Sequence, residues 1–366
     1  MTIGGDSPGR SNNGPPLLSI VIPVWNVERY LTSCLDSILE QPFRDLEVVA
    51  VEGASTDASG AVLDKRETLD RRLKVTHLTP FPGHNRVGPG RARNEGLKRA
   101  QGDYIWFADG DDAIRPGCLT AIASRLIRDN PDVLFVGHEL VFEEGDSERT
   151  EPGHDQHLLR PEGTSFTLAD RPAVTGLSMA SWNKIVRREF LLSTGEQFLE
   201  EWPHEDIPVS CAELVNARSI GTLDLVCYRY RQDRTGSAMM IGGSARHFNV
   251  FAAWQIALER ARSSSDAVYA ALFERSAWHL TNIFDKGSMA LRGLAPRYVS
   301  SREDRRRFFA RMQDHYLKYK PSGYSRPRGF RGVKFTLVEN GAYRGYLVLA
   351  QLNSLRLRAN RIRRRG

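Results

Sequence analysis

"GDYIWFADGDDAI", residues 102–114, places a short apolar run directly before three aspartates. The run Tyr104–Ala108 is aromatic and aliphatic throughout, which is typical of a buried strand. Asp109, Asp111 and Asp112 follow it at once, with only a glycine among them. Adjacent carboxylates repel one another unless a positive charge lies close to them. The stretch therefore predicts a strand whose carboxyl end meets a cation.

Two of these aspartates have the spacing of a metal-binding pair. Mg²⁺ and Mn²⁺ prefer oxygen ligands, and they commonly take one or two carboxylates together with waters and substrate phosphates. Asp109 and Asp111 are therefore predicted to hold Mg²⁺ or Mn²⁺, which would also neutralise a diphosphate leaving group. The alternative is a solvated acidic turn on the protein surface, without a metal.

The segments before this stretch alternate between strand and helix patterns. "LLSIVIPVW", residues 17–25, is typical of a buried parallel strand, and "VERYLTSCLDSILEQ" repeats its apolar residues at helical spacing. Strands at "LEVVAVEG" and "LKVTHLT" and further helices continue the alternation. This order predicts an α/β fold with a mostly parallel sheet flanked by helices. Ligands bind at the carboxyl ends of strands in such sheets, where "EGASTD" and "DGDD" both lie.

The second half of the chain departs from this alternation. Polar residues 144–164 are predicted to form a long loop, and "EEWPHEDIPVSCAELVNA" predicts an acidic loop before a helix. "LDLVCYRYRQDRTGSAM" predicts a strand that leads into a basic loop. The pattern then becomes mainly helical. We therefore divide the chain into a disordered lead-in, an α/β domain and a helical region with a basic tail, at residues 1–16, 17–240 and 241–366.

The composition is that of an ordinary globular protein with an excess of positive charge. The 366 residues carry a net charge of +7, and no apolar run reaches the length of a membrane span. The start has no apolar segment of a secretory signal, and the four cysteines are scattered singly, as expected of free thiols in a reducing cytoplasm. The charge favours an anionic partner, but no nucleic-acid-binding motif is present, which makes nucleic acid the least favoured one.

The positive charge is concentrated near the end of the chain. "YRGYLVLAQLNSLRLRANRIRRR", residues 343–365, combines apolar residues with arginines that cluster late. This pattern predicts either a basic amphipathic helix on an anionic membrane or a disordered arginine tail. The first alternative would place a cytoplasmic protein peripherally on the inner face of the membrane.

Several motifs occur in the order found in a known family. "SIVIPVWNVERYLTSCLDSILEQ", "VEGASTDASG", "GRARNEGLKRAQGDYIWFADGDD" and "HED" resemble segments of the family-two glycosyltransferases, which use nucleotide-sugar donors and have the GT-A fold. The resemblance covers about residues 17–240. "SWNKIVRREFL", "YRYRQDRTGSAM" and "RHFNVF" also resemble the glycosyltransferase-like module of actinobacterial teichoic acid proteins. That module is often fused to a CDP-glycerol glycerophosphotransferase.

The resemblance implies roles for particular positions. Asp206 falls on the catalytic base, with Glu205 beside it as a second catalytic carboxylate, and Asp109 and Asp111 fall on the metal motif. The positions that fall on donor-binding residues are Pro23, Trp25, Glu52, Asp57, Arg93, Asn94, Asp109, Arg231 and Ser237. The implied partners are a nucleotide-sugar donor and a cell-envelope glycan or phosphate-rich, teichoic-type polymer as acceptor.

One stretch departs from the family pattern. Where the family has two acidic residues before a Gly-Ser pair, this chain has Glu52 and Gly53, and Ala54 replaces the glycine. One of those acids usually contacts the nucleobase in the family. The departure implies either a weakened donor site or a nucleotide other than a uridine one.

The chemistry of sugar transfer with inversion can be set out from the residues themselves. A carboxylate must take the proton of the acceptor hydroxyl, and Asp206 or Glu205 suits this role. The leaving diphosphate must be stabilised, by the metal and by Arg93 with Arg231. The acidic pair equally suits a helix N-terminus, where carboxylates are favoured without any catalytic role.

The family resemblance and the residues suited to sugar transfer together predict a metal-dependent inverting glycosyltransferase. Two other classes stay open at this point. One is a catalytically weak sugar-binding or scaffolding module that partners a separate envelope-polymer enzyme, which the Glu52–Ala54 departure supports. The other is a nucleic-acid-binding protein, which only the net charge supports.

Overall fold

The computed structural model describes residues 14–144, 147–161, 163, 165–200, 203–232, 247–290 and 301–363. The chain divides into two compact units, Met1–Thr235 and Gly236–Gly366. The boundary predicted near residue 240 and most of the predicted lead-in lie outside the described residues. The two units are described in turn.

The first unit alternates strands and helices over its first half, as the sequence predicts. Its strands are β1 (Leu18–Val24), β2 (Leu46–Glu52), β3 (Leu73–His77), β4 (Tyr104–Phe107), β5 (Ala113–Ile114), β6 (Val133–Glu144), β7 (Ser147–Pro152), β8 (Lys184–Arg187) and β9 (Ile220–Arg231). Its helices are α1 (Glu28–Leu39), α2 (Ser59–Leu69), α3 (Pro89–Arg99), α4 (Cys118–Asp129), α5 (Arg188–Ser193) and α6 (Ile207–Asn216).

These strands form one sheet in the order β3-β2-β1-β4-β8-β6-β9-β5, with β7 added on β6. The first four strands of that order run parallel, joined by helical crossovers. Strand β8 runs antiparallel to both β4 and β6, so the sheet is mixed beyond β4 rather than mostly parallel. A short 3₁₀ turn at Ser181–Asn183 leads into β8. The sequence gives no signal for this strand: the stretch "WNKIVRREFLLSTG" has helical spacing, yet only Arg188–Ser193 of it is α-helix and Lys184–Arg187 is strand.

The long loop predicted for residues 144–164 is wrong in part. Strand β7 lies within it and pairs antiparallel with β6 from Glu139↔Pro152 to Glu144↔Ser147. Its sequence "SERTEP" is polar throughout, and its side chains are exposed or half-buried. A strand that extends a sheet in this way needs no apolar face, and charged side chains protect it from further pairing. Hydrophobic periodicity therefore gives no signal for it.

The core explains why the functional loops gather at one edge. Strands β1 and β2 are buried almost throughout, which requires their near-continuous Val and Ile composition. Helix α1 turns Leu31, Leu35 and Ile38 onto this core. Because β1, β2 and β4 run parallel, the segments that follow them all leave the same edge of the sheet.

The second unit is helical, with α7 (Asn249–Arg260), α8 (Asp266–Ala290), α9 (Arg302–Tyr319), α10 (Phe330–Glu339) and α11 (Tyr343–Arg363). Its core is aromatic, with Trp254, Phe284, Phe308 and Tyr346 fully buried. The backbone of α11 is helical to Arg363, which agrees with the helix alternative for the basic tail rather than the disordered one. Among the described helices, none combines the length and hydropathy needed to cross a bilayer.

Candidate active site

One residue of the aspartate turn between β4 and β5, Asp112, holds the turn in place. Asp112 is buried, and its carboxylate accepts hydrogen bonds from the Tyr228 hydroxyl at 2.8 Å and the Arg231 amide at 2.7 Å. Burial, with Asp111 and Asp109 nearby, raises the pKa of Asp112 well above its usual range. Asp112 therefore fixes the turn, and Asp109 and Asp111 remain as the candidate metal pair.

Tyr228 and Trp182 support this turn, and the sequence did not single out Trp182. The Asp109 amide donates to the Tyr228 hydroxyl at 2.8 Å. The Trp182 ring stacks on Tyr228 with centroids 4.9 Å apart and planes 8° from parallel. The Trp106 indole donates to the Trp182 carbonyl at 2.7 Å, which ties the stack to β4. The alternating aromatics of "YRY" are the only sequence signal for this layer.

Arg93 joins the aspartate turn to the segment that carries the predicted base. It lies on α3 and is buried, and its two terminal nitrogens donate to Asp109 at 2.8 Å and to Glu205 at 2.5 Å. Burial opposes its charge, but the Asp109 and Glu205 carboxylates outweigh this and raise the pKa of Arg93. In the structure Arg93 is a buried bridge between two acidic segments. Its predicted role in diphosphate binding stays a prediction.

Helix α3 also anchors the chain that leads to Asp206. The side-chain amide of Asn94 donates to the Phe198 carbonyl at 2.9 Å and accepts from the Phe198 amide at 2.9 Å. Gly90 lies so close to this segment that a Cβ atom there would come within 2.1 Å of the Leu199 carbonyl oxygen. Asn94 thus anchors this segment, and its predicted donor binding stays a prediction. The motif "GPGRARN" supplies both the helix start at Pro89 and these contacts.

Asp206 stands immediately before α6 and is half-buried. It occupies the N-cap position of α6, as the helix-terminus alternative requires, but its side chain makes no capping hydrogen bond to the helix. Burial and the neighbouring Glu205 carboxylate raise the pKa of Asp206 to about 7, although Arg93 and Lys184 act in the opposite direction. Lys184 is a buried cation that sequence reasoning missed.

Arg231 ends β9 beside the aspartate turn. Its Nε donates to the Asp111 carbonyl at 3.0 Å, and its Nη1 lies 3.0 Å from both Glu143 and Glu148. The guanidinium also lies over the Tyr30 ring, 4.7 Å from its centroid. Arg231 thus lies beside the predicted metal motif, and its predicted role toward a diphosphate stays a prediction. Ser237 lies outside the described residues.

The acidic residues of the loop after β2 accept hydrogen bonds from backbone amides, and their predicted donor binding stays a prediction. Glu52 accepts from the amides of Ala54 at 3.1 Å and Ser55 at 2.5 Å. Asp57 accepts from the Glu28 amide at 3.0 Å, and Glu28 in return accepts from the Ala58 amide at 2.6 Å. Donor binding was predicted for Glu52 and Asp57. In the structure, Glu52 shapes its own loop and Asp57 links the N-termini of α1 and α2.

The departure at Gly53 and Ala54 has a structural counterpart. Ala54 adopts φ = 63°, a left-handed conformation that favours glycine, the family's residue there. A Cβ atom at Gly53 would come within 3.2 Å of the Val87 carbonyl oxygen and 3.3 Å of the Val24 carbonyl oxygen. A second acidic side chain at position 53 would therefore require Val87 to shift.

Pro23 and Trp25 lie at the exit of β1, beside this loop. Pro23 pairs in register with Val51 of β2. The Arg86 guanidinium lies over the Trp25 ring, 4.6 Å from the ring centroid. The buried Nε1 of Trp25 has no hydrogen-bond partner among the described residues. These residues form a wall suited to stacking, and their predicted part in nucleotide binding stays a prediction.

The described residues could hold the predicted Mg²⁺ or Mn²⁺ only together with ligands from outside the protein. Among the residues that the structure describes, no group of three or more His, Cys, Asp or Glu side chains is arranged to hold a metal. Asp109 and Asp111 offer the oxygen ligands that both ions prefer, and Asp109 is shared with Arg93. The donor set therefore fits an ion that takes further ligands from a diphosphate and water, and it does not fit a metal centre made by protein alone.

Comparison with known proteins agrees with this architecture. Residues 19–193 match the family model described as Glycosyl transferase family 2. The chain is 28% identical to the uncharacterized glycosyltransferase EpsJ of Bacillus subtilis, over 60% of this chain and 62% of that protein. It is 32% identical to the poly(ribitol-phosphate) beta-N-acetylglucosaminyltransferase TarS of Staphylococcus aureus, over 60% of this chain and 36% of TarS. The chain thus spans less than two thirds of each of these relatives.

Two further comparisons concern an envelope-related relative and a solved structure. The putative teichuronic acid biosynthesis glycosyltransferase TuaG of Bacillus subtilis is 30% identical over 45% of this chain and 61% of that protein. The crystal structure of S. aureus TarS 1-349 in complex with UDP-GlcNAc superposes with a TM-score of 0.68 at 21% identity, covering 92% of this chain and 91% of that one. This likeness shows a shared GT-A fold. Residues 19–193 are therefore similar to the family 2 glycosyl transferases in sequence, and the fold agrees with that similarity.

Proposed function

We propose that this protein transfers a sugar from a nucleoside diphosphate donor to a hydroxyl of a cell-envelope glycan or teichoic-type polymer, with inversion at the anomeric carbon. One observation carries the proposal. A half-buried carboxylate with a pKa of about 7 stands at the start of α6, one residue from the Glu205–Arg93–Asp109 chain that leads to the aspartate turn. The similarity to TarS, a poly(ribitol-phosphate) glycosyltransferase, and to TuaG, a putative teichuronic acid biosynthesis glycosyltransferase, supports the acceptor class.

Asp206 is the proposed base. Its carboxylate takes the proton of the acceptor hydroxyl while the hydroxyl oxygen forms a bond to the anomeric carbon. The bond from that carbon to the diphosphate breaks on the opposite face, and its electron pair leaves on the diphosphate oxygen. A pKa near 7 suits this role, because a substantial fraction of the group is then deprotonated at neutral pH and the carboxylate is basic enough to accept a proton. Glu205 is held by Arg93, so we assign it to positioning rather than to proton transfer.

The aspartate turn is the proposed diphosphate end of the site. Asp109 and Asp111 would hold Mg²⁺ or Mn²⁺, which when bound supplies positive charge opposite the leaving diphosphate. Arg231, next to Asp111, is the candidate protein cation for the same group. Pro23 and Trp25 are proposed to face the nucleobase. The spacing around Gly53 supports a donor-base contact that differs from the family's acidic one.

The proposed place of action is the cytoplasmic face of the membrane, reached through helix α11. This helix has no acidic residue, and it exposes Val348 and Leu352 one turn apart on the same side. The sequence continues that side at Leu355 and adds four arginines between residues 356 and 363. Apolar residues flanked by arginines suit an anionic lipid surface better than a polymer that has no apolar part.

The test of the enzyme assignment is Asp206→Asn, which keeps the shape of the side chain and removes the base. Turnover should fall by about 10²- to 10⁴-fold with nearly unchanged donor affinity, measured by sugar transfer and by calorimetry with UDP-, GDP-, TDP- and CDP-sugars. Glu205→Gln should cost less. In the wild type, kcat/KM should rise with pH up to about 7 and then level off, since the base must be deprotonated.

Two results would redirect this assignment. A wild-type protein that binds a donor but turns over none of them with teichoic-type or glycan acceptors would favour the scaffolding class. A fully active Asp206→Asn variant would leave the enzyme class in place and remove Asp206 as its base.

A further inference from the structure

Lys184 is a buried cation that the mechanism above does not use. It is the first residue of β8, and only 2% of it is exposed. Its Nζ donates to the Ala180 carbonyl at 2.6 Å and to the Ser210 hydroxyl at 2.9 Å. The Glu213 carboxylate, equally buried, lies 3.4 Å away. A lysine is rarely buried to this extent unless its charge has a partner or a function.

These contacts all lead to the helix that begins after Asp206. Ser210 and Glu213 both belong to α6. The Ser210 amide donates to the Asp206 carbonyl at 2.9 Å, and the Ser210 hydroxyl donates to the Met179 carbonyl at 2.7 Å. Lys184 and Ser210 together therefore attach the first turn of α6 to the chain just before β8.

The same strand is tied to the aspartate turn. Strand β8 pairs antiparallel with β4, with Trp106 opposite Ile185. Strand β4 leads directly into Asp109. A continuous set of hydrogen bonds thus connects the proposed metal pair, through β4 and β8, to Lys184 and the start of α6. Movement of Lys184 would change the position of Asp206 relative to Asp109.

Lys184 affects Asp206 through its positive charge as well as through its hydrogen bonds. The charged groups that act on the Asp206 carboxylate are Glu205 beside it, Arg93 on α3 and Lys184 on β8. Arg93 is already matched by Asp109 and Glu205. Among the described residues, Lys184 has one ion-pair partner, Glu213, and burial raises the pKa of Glu213, which weakens its hold on the negative charge. In a buried site such charges are poorly screened.

We propose that Lys184 is a positioning residue for the base: its hydrogen bond to Ser210 fixes the first turn of α6, and its buried positive charge beside that turn favours the ionised form of the Asp206 carboxylate. This inference rests on the proposed function of Asp206. A purely structural lysine would account for the hydrogen bonds but would leave the proton affinity of Asp206 independent of its charge.

The experiment compares Lys184→Met with the wild type in two measurements. The first is the titration of the Asp206 carboxyl by carbon NMR, assigned with Asp206→Asn, which needs no turnover. The second is the pH dependence of kcat/KM. We expect the Asp206 titration to move up by about one pH unit, so that activity falls about tenfold at pH 6 and by much less at pH 9. Loss of the positive charge is the cause, because it favours the neutral acid.

The chain offers a matched control in Lys334. It is also a lysine with 2% exposure, and it pairs with Asp285 in the second unit. Lys334→Met should lower the stability of the protein without moving the Asp206 titration. If Lys184→Met does not fold, Lys184→Met with Glu213→Leu removes both buried charges, an exchange that buried pairs often tolerate. The upward shift should persist in it, reduced by the loss of the Glu213 charge.

The outcomes separate the inference from the function on which it rests. An Asp206 titration that is the same in wild type and in the Lys184 variants would overturn the inference, even if activity falls. A wild type without turnover, or an active Asp206→Asn, would overturn the proposed function whatever the titration shows. An upward shift together with a loss of activity that high pH restores would support both.

Discussion

At the scale of single residues, similar acidic side chains serve different purposes around one sheet edge. Asp112, Glu52 and Asp57 each accept backbone amides, and they hold loops in place. Asp109 instead accepts a hydrogen bond from the Arg93 guanidinium. The Asp206 side chain makes no capping hydrogen bond to α6. A carboxylate that accepts hydrogen bonds from backbone amides is expected to contribute to the stability of the fold. The other carboxylates are available for chemistry.

The metal pair yields a prediction at this scale. Asp109→Asn with Asp111→Asn keeps side-chain volume and the contact with Arg93, but it removes both negative charges. We expect the wild type to bind Mn²⁺ only together with a nucleoside diphosphate, because the described residues provide too few ligands without it. The double variant should lose that binding. Calorimetric titration of Mn²⁺ with and without UDP, GDP, TDP or CDP measures both.

Asp112→Asn is the comparison variant for this titration. It should destabilise the fold, because the Arg231 amide and the Tyr228 hydroxyl bind its carboxylate, yet retain ion binding where it folds. Unchanged Mn²⁺ affinity in the folded double variant would remove Asp109 and Asp111 from the metal site.

At the scale of elements, helix α3 organises the site more than any strand does. Its first two turns supply Arg93, which links Asp109 to Glu205, and Asn94, which holds Phe198. The close approach at Gly90 brings the segment before Asp206 against the same helix. Because one rigid helix holds all three contacts, a shift of that segment should change catalysis before it changes nucleotide binding.

Gly90→Ala tests this. A Cβ atom 2.1 Å from the Leu199 carbonyl oxygen cannot be accommodated without moving backbone, so the segment leading to Asp206 must be displaced. We expect a cost of about 1–3 kcal/mol in unfolding free energy and a fall in kcat, with little change in nucleotide affinity. Chemical denaturation, transfer assays and calorimetry measure the three quantities.

A second glycine in a helix provides the control. At Gly60 of α2, an added Cβ would meet its nearest neighbours at 3.7 and 3.9 Å, which is ordinary contact. Gly60→Ala should leave kcat unchanged and should not destabilise the protein, since alanine favours helix. If both alanine variants behave alike, the close approach at Gly90 does not position the base.

At the scale of the whole molecule, the chain combines an α/β unit that carries the candidate site with a helical unit that ends in basic sequence. Each unit has its own core, so surface changes in the second should leave the chemistry of the first intact. The excess of positive charge, which the sequence related to an anionic partner, can therefore be tested separately from catalysis.

Replacing Arg356, Arg358, Arg361 and Arg363 by Gln tests membrane binding. Each arginine near an anionic surface contributes about 1 kcal/mol, so binding to vesicles of phosphatidylglycerol should weaken by about a thousandfold at low salt. The difference should shrink in high salt, where charges are screened, and donor hydrolysis should survive. Co-sedimentation with vesicles measures the binding.

The matched control makes the same change of charge elsewhere in the second unit, with Arg302, Arg306, Arg307 and Arg311 of α9 replaced by Gln. It should bind vesicles nearly as well as the wild type. Equal loss in both variants would mean that net charge, rather than helix α11, determines the binding. Loss of binding to teichoic polymer but not to vesicles in the α11 variant would identify the polymer as the partner.

The sequence predicted the parts of the fold that depend on local pattern. Alternation of buried strands and helices gave β1 to β4 and their crossovers, because burial on both faces demands continuous apolar runs. It missed β7 because an edge strand needs no apolar face, and it missed the four-residue strand β8 because the stretch that contains it has helical spacing. The prediction of an acidic turn at a strand end is confirmed, since strand and turn are adjacent in the chain.

The roles of the site residues were decided only by the tertiary structure. Arg93 and Glu205 are 112 positions apart, and Asp112 and Tyr228 are 116 apart, so no local pattern relates them. The sequence by itself determined which chemical groups stand at the sheet edge and in what order. Which carboxylate has a guanidinium, a backbone amide or a buried lysine near it was determined by packing, because burial and neighbouring charge set how each acid behaves.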